Sequence, residues 1–342
     1  MKIAFSEDHR LHFPQGELSG GQFVTPYERP SRMEYILREL KARKMNDFVA
    51  PAKLDMKPVR KIHDKGLLDF LETAWAEWVA AGYRGEIIPS CFPVPGLRKI
   101  KPHHIDGKAG YYAIGTETAI TSGTWEAAKS SAAVALKAQS IVANGARSAF
   151  ALCRPPGHHA HGHAYGGYCF LNNAAIAAQS FLDGGAKRIV ILDVDFHHGN
   201  GTQDIFYERS DVLYCSLHGA PEHAYPYFLG CKDEKGRGKG EGFNINYPMP
   251  PGTSFDVWGD ALDSACRKIK AYKADALIVS LGVDTFKDDP ISFFKLNSAD
   301  FTTYGRRLAK LKLSTLFVME GGYAIEAVGI NTVNVLEGFE NS

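Results

Sequence analysis

Five short runs in the second half of the chain are apolar on both faces: SAFALC (148–153), RIVIL (188–192), VLYCSL (212–217), ALIVSLG (276–282) and TLFVM (315–319). A strand with one wet face alternates apolar and polar side chains. These runs do not, so each must be covered above and below. Between and after them lie stretches with helical spacing: AAIAAQSFLDGG (174–185), GTQDIFYER (201–209), FDVWGDALDSACRKIKAYK (255–273), ADFTTYGRRLAKLK (299–312) and residues 324–339. Strands that alternate with helices in this way build an α/β fold, a mostly parallel, multi-stranded sheet with helices on both faces.

The first half fits the same plan. KIAFS opens as a strand, RMEYILRELKAR (32–43) reads as a helix capped by Ser31, and helical spacing recurs over 67–82 and 124–145. The 342 residues, 45% of them hydrophobic, are read as one domain spanning 1–342. Residues 84–116 break the rhythm. They are rich in Pro and Gly, lack periodicity and carry aromatics, which points to a functional insertion loop.

A formal charge of +1 gives no overall field that would recruit nucleic acid or an anionic membrane. No apolar stretch is long enough for a membrane span, and MKIAFSEDHRLHF lacks the apolar core of a signal peptide. The six cysteines include no CxxC pair and read as reduced thiols, which implies a cytoplasmic protein.

The ends of the apolar runs carry the chemistry. RIVIL continues into DVDFHHG (193–199), and four titratable groups follow one another where core residues are expected. Buried carboxylates without partners cost several kcal/mol, roughly, so these groups demand a cation or strong hydrogen bonds. With strand periodicity Asp193, Asp195 and His197 point the same way. Two hard oxygens and a neutral imidazole suit one divalent ion such as zinc. Asp284, at the end of ALIVSLG, is the available distant ligand, although alone it would read as an ordinary strand-end polar group. Asp195, His197 and Asp284 are the chosen ligands, with Asp193 deeper, to orient a histidine or hold a second cation. The tandem His158-His159 follows Pro155-Pro156-Gly157 on a stiff loop and suits a general base and acid. His161 and His163 read as solvated loop residues. Tyr323 in EGGY suits an oxyanion donor or a tyrosine packed on a helix start.

Taken in order, RPPGHH, GYCFLNN, DVDFHHGNGTQDIF, SLH, SLGVD and EGGY resemble the zinc-dependent histone deacetylase superfamily with its arginase–deacetylase fold. TWEAA, DPISFFKL and the 84–116 segment are most similar to the bacterial acetylpolyamine amidohydrolases. The resemblance implies that Asp195, His197 and Asp284 bind Zn2+, that His158 and His159 are the catalytic pair, and that Tyr323 polarises the carbonyl. It implies Asp193 as support for His158 and Asn200, where many deacetylases carry an aspartate, as support for His159. It also implies a structural K+ or Na+ held by Asp193, Asp195, His197, Ser216 and Leu217, largely through main-chain oxygens. A second would use Phe206, Arg209, Val212 and Phe243. Gly167, Tyr168 and Tyr225 match the acyl-chain tunnel. Asp106 and Glu117 match acids that meet a distal ammonium, and the 84–116 loop implies a homodimer.

The expected activity is removal of acetyl groups from acetylated polyamines. Deacetylation of acetyl-lysine in peptides or proteins is the alternative, and a non-catalytic acyl-ligand binder is a third reading. A restrictive 84–116 loop would favour the first, because it admits a flexible amine and excludes a folded protein.

Overall fold

Each of the five apolar runs forms a buried strand in the computed structural model, which describes residues 1–342. The chain opens with β1 (Lys2–Ala4), then a hairpin of β2 (Glu17–Ser19) and β3 (Gln22–Val24). Next come α1 (Ser31–Ala42), β4 (Phe48–Val49), α2 (Met56–Ile62), α3 (Lys65–Ala80), α4 (Ile105–Tyr112) and α5 (Thr124–Ala143). The alternating half follows as β5 (Ser148–Ala151), α6 (Asn173–Asp183), β6 (Ile189–Asp193), α7 (Asn200–Phe206), β7 (Val212–Gly219) and β8 (Asn244–Met249). It closes with α8 (Phe255–Tyr272), β9 (Ala276–Leu281), α9 (Ser298–Ala309), β10 (Thr315–Met319) and α10 (Ile325–Glu340).

All strands except the hairpin join one parallel sheet in the order β4-β1-β5-β10-β9-β6-β7-β8. Side-chain alternation divides each central strand between two cores. Ile189 and Ile191 of β6, with Leu316 and Val318 of β10, pack under α2, α3, α5 and α6. Val190 and Leu192, with Phe317 and Met319, pack under α1, α8, α9 and α10. Both faces are dry, so the strands read as unbroken apolar runs.

Several local features depart from the sequence reading. Ser31 is the first residue of α1 rather than its cap, and Pro30 precedes it. The 84–116 segment contains α4, whose N-cap is His104. β6 ends at Asp193, short of Asp195 and His197, over which strand periodicity is expected to continue. The β2–β3 hairpin was not anticipated, though its signal is present. Gly20 and Gly21 take φ 56° and 77°, as a two-residue turn with both φ positive requires, and glycine adopts this without steric cost. No helix is long and apolar enough to cross a membrane.

Phe317 is 0% exposed in a central strand, whereas Phe228 is 89% exposed. Denaturant unfolding should show a loss of about 3–5 kcal/mol for Phe317→Ala and no more than about 0.5 kcal/mol for Phe228→Ala. Comparable losses would contradict the packing described.

Candidate active site

The chain leaves β5, skips two positions in the sheet to form β6, and later fills the gap with β9 and β10. Strand order reverses across this gap, and in open α/β sheets such a crevice at the carboxyl ends is where ligands bind. Residues 154–159, 194–197, 282–284 and 320–323 all leave these four neighbouring strands.

Asp195, His197 and Asp284 converge there, with one donor atom from each lying within 4.8 Å of the others. His197 Nδ1 lies 3.3 Å from Asp195 Oδ1 and 3.1 Å from Asp284 Oδ2. The expected strand alternation does not place them. Past Asp193 the chain turns, with Asp193 Oδ1 accepting from Asp195 N–H (3.2 Å) and Asp195 Oδ1 accepting from His197 N–H (2.8 Å). Aspartates bond the backbone two residues on in this way when a turn replaces a ladder. Asp195 Oδ2 also accepts from Gly321 N–H (2.8 Å), and Asp284 Oδ1 from Phe196 N–H (2.7 Å). A side chain at Gly321 would have its Cβ 2.5 Å from Asp284 Oδ2 and 2.6 Å from Asp195 Oδ2, so glycine is required.

Both carboxylates are fully buried, and no lysine or arginine pairs with either. Burial and the neighbouring Asp195 push Asp284 up to about 8. Burial opposes charge on His197, but Asp195 and Asp284 outweigh it and raise the imidazole to about 10. The cluster therefore attracts positive charge strongly. Two carboxylates and one imidazole fit a divalent ion with an open coordination position.

His158 and His159 lie beside this cluster with ring centroids 4.0 Å apart. His158 Nδ1 meets Asp193 Oδ2 at 3.1 Å, and Tyr214 OH donates to the same oxygen (3.0 Å). Burial disfavours charge on His158, yet Asp195 and Asp193 overcome it and raise the ring to about 10. His159 behaves oppositely: burial, then repulsion from His158 and His197, hold it well below the usual histidine range. Its Nδ1 meets Asn200 Oδ1 at 2.6 Å.

A cavity of about 350 Å³ opens over these groups, lined by His159, His197, Gly167, Tyr168, Tyr225 and Tyr323 among others. Phe196, Phe293 and Tyr27 extend its aromatic wall, and no lysine or arginine lines it. A Cβ on Gly167 would sit 2.3 Å from His159 Cδ2. Tyr168 holds φ at 66°, a strained conformation for an aromatic residue that costs on the order of 1–3 kcal/mol. Thr118 Oγ1 accepts from Tyr168 N–H (2.8 Å), and Tyr168 OH donates to Glu17 Oε1 (3.0 Å).

Glu117 lines the cavity, with Oε1 accepting from Gly167 N–H (2.7 Å). Asp106 does not. It lies in the first turn of α4, bonded to Ser90 Oγ (3.1 Å), and is absent from the cavity wall within one chain. The second cavity acid is Glu17 of β2, which sequence reasoning missed because the hairpin that delivers it was not recognised. Burial raises Glu17 to about 7 against the stabilising bonds from Tyr27 N–H and Tyr168 OH.

Asp193 and Ser216 are register partners in the β6–β7 ladder, and Asp195, His197 and Leu217 are buried close by in sequence. Of the second set, Phe206 closes α7, Val212 opens β7 and Phe243 precedes β8. Phe206 O accepts from Arg209 N–H (2.9 Å), while the Arg209 side chain pairs with Asp211.

Two further buried carboxylates, the first residues of the EGGY and DPISFFKL motifs, take roles that the sequence reading does not assign. Glu320 Oε2 accepts from Gly157 N–H (2.7 Å) and His158 N–H (3.1 Å), pinning the histidine loop. Asp289 Oδ2 accepts from Tyr323 N–H (2.7 Å) and Ala324 N–H (3.1 Å), pinning the tyrosine loop. His161 also differs from expectation. It is 8% exposed rather than solvated, because the 157–164 loop is clamped by Asn172 Nδ2 at Ala160 O and by Thr202 N–H at His158 O. His163 is exposed as expected.

The family model for the histone deacetylase domain matches residues 26–339. Acetylpolyamine amidohydrolase 2 of Pseudomonas aeruginosa is 56% identical over 340 residues, which is 99% of each chain. The acetylpolyamine amidohydrolase of Mycoplana ramosa is 55% identical over 338 residues, again 99% of each. A crystal structure of acetylpolyamine aminohydrolase from Burkholderia pseudomallei superposes with a TM-score of 0.93 at 39% identity, covering 99% of this chain and 98% of that one.

Zinc titration of chelator-treated protein should reveal one tight site, which Asp284→Ala weakens by more than about a hundredfold. Zinc should also raise the melting temperature of the wild type by binding the folded state. Undiminished affinity in Asp284→Ala would contradict the three-ligand centre.

Proposed function

The chain belongs to the histone deacetylase domain family, and from that premise we propose that it hydrolyses the amide of acetylated polyamines to acetate and a free amine. One observation carries the substrate class. The aromatic cavity over the metal-ligand cluster contains two acids, Glu17 and Glu117, and no lysine or arginine. A polyamine brings an extended alkyl chain, which aromatic walls accommodate, and a distal ammonium, which ring faces and carboxylates attract.

Zn2+ held by Asp195, His197 and Asp284 would supply Lewis acidity toward a water and the amide carbonyl. The protein groups divide the remaining work. His159, kept neutral by burial and by His158 beside it, takes the water proton. His158, whose Nδ1 meets Asp193 Oδ2, is placed to balance the negative charge that develops, and a histidine returns a proton to the leaving nitrogen. Tyr323 O–H donates to the oxyanion as the carbonyl carbon becomes tetrahedral. Glu320 and Asp289 hold the two loops that bring these groups together. Asp193, Asp195, His197, Ser216 and Leu217 would also hold a K+ or Na+ beneath the site, chiefly through main-chain oxygens, and Phe206, Arg209, Val212 and Phe243 a second.

We further propose a homodimer through residues 84–116. Residues 91–100 are all exposed, and Phe92, Val94, Leu97 and Ile100 among them are large and apolar. Solvent-facing apolar clusters of this kind mark an association surface. Asp106 lies on the same segment and would meet substrate only through such an assembly. A reducing cytoplasm suits the six unpaired cysteines.

Tyr323→Phe should lower kcat for acetylputrescine by about 10²–10³-fold; near-normal turnover would reject its role. Glu117→Gln should reduce kcat/KM for acetylputrescine more than for a neutral N-alkylacetamide, and equal losses would remove the polyamine reading. Glu17 is ionised above about 7 and protonated below it. KM for acetylputrescine should therefore rise as pH falls from 8 to 6, and Glu17→Gln should flatten that rise. A profile unchanged in the variant would contradict an electrostatic role for Glu17.

A further inference from the structure

His159 is the inner end of a hydrogen-bonded chain that reaches the surface. His159 Nδ1 meets Asn200 Oδ1 at 2.6 Å, Asn200 Nδ2 meets His161 Nε2 at 2.9 Å, and His161 Nδ1 meets Asp204 Oδ2 at 3.2 Å. Asn200 and Asp204 are four residues apart on α7 and so share a face. His159, Asn200 and His161 are buried, and the Asp204 side chain is 40% exposed.

The polarity of this chain follows from its outer end. The hydrogen bond from His161 leads the influences that outweigh the burial of Asp204 and hold it below the usual carboxylate range, so it only accepts. Asp204 therefore requires a proton on His161 Nδ1. With that proton on Nδ1, Nε2 offers its lone pair to the Asn200 Nδ2 group 2.9 Å away, which must present an N–H. The Asn200 amide must then present Nδ2 outward and Oδ1 inward. An inward oxygen requires a proton on His159 Nδ1 and leaves Nε2 with a free lone pair. A rotated amide would reverse every step. Its N–H would face His159 Nδ1, moving the ring proton to Nε2 and leaving no acceptor for the water proton.

We propose that His161 and Asp204 are positioning residues that fix the amide orientation of Asn200 and, through it, the tautomer in which His159 can act as base. An aspartate at position 200 would accept from His159 with either oxygen and would need no such guide. Asparagine has two unlike ends and does. The inference rests on the reading of His159 as the base.

The test is a double-mutant cycle on acetylputrescine turnover by the zinc-loaded protein, with wild type, His161→Ala, Asn200→Asp and the double variant, alongside Asp204→Asn and His159→Ala. His161→Ala should lower kcat by about ten- to a hundredfold, the range seen when a partner that orients a catalytic group is lost, with KM changed by less than about twofold. In the Asn200→Asp background the same substitution should cost less than about threefold. Asp204→Asn should fall with His161→Ala, because its amide can donate to His161 Nδ1 and reverse the chain. In 15N-histidine-labelled protein, signals assigned to His159 by difference should report Nδ1–H in the wild type and lose that state in His161→Ala. Equal losses in both backgrounds, no loss in either, or an unchanged His159 tautomer would each overturn the proposal. Turnover retained in His159→Ala would overturn the reading of His159 as base and this inference with it. Turnover lost there but unaffected by His161→Ala would overturn this inference alone.

Discussion

Two carboxylates, Asp195 and Asp284, are fully buried within reach of one imidazole nitrogen, and no lysine or arginine pairs with either. In a low-dielectric interior such charges repel each other and lack hydration. The arrangement is tenable only with a cation, or with protons standing in for it. Backbone N–H groups of Phe196 and Gly321 occupy part of the carboxylate valence and aim the rest inward. The glycines of the site follow from this crowding, since a side chain at Gly321 would collide with both carboxylates.

The sheet makes the convergence possible. Because β9 and β10 enter between β5 and β6, residues distant in sequence emerge side by side from four adjacent strand ends. The two dry cores on either side hold those ends rigid, and the buried acids Glu320 and Asp289 tie the histidine and tyrosine loops to them. The two histidines are pushed apart across a few ångströms: the carboxylates of Asp195 and Asp193 favour charge on His158, while burial and His158 disfavour it on His159. Acid and base assignments follow from environments that push neighbouring groups apart.

Much of this was legible in the sequence because it depends on local pattern. Strands such as RIVIL and TLFVM declare themselves by lacking a polar face, and DVDFHHG by placing charges where a core strand ends. What the residues around His197 do locally was less legible. The period-two spacing suggested strand alternation, but Asp193 and Asp195 bend the chain by bonding its backbone, and the same side chains converge by another route. The unread parts are non-local. Glu17 reaches the cavity only because a Gly-Gly hairpin folds over it, and Asp106 leaves the cavity because α4 carries it away. His161 looked like a loop residue because nothing in GHHAHGH tells which histidine will meet a helix packed from 40 residues further on. Its burial comes from clamps at residues 172 and 202.

The claim at the centre is that one divalent ion belongs between Asp195, His197 and Asp284. Anomalous diffraction at the zinc edge from crystals grown with that ion tests it most directly. A single strong peak is expected about 2.0–2.2 Å from His197 Nδ1 and from one oxygen of each aspartate. A peak bound by other residues, or none at this cluster in protein that turns over substrate, would contradict it.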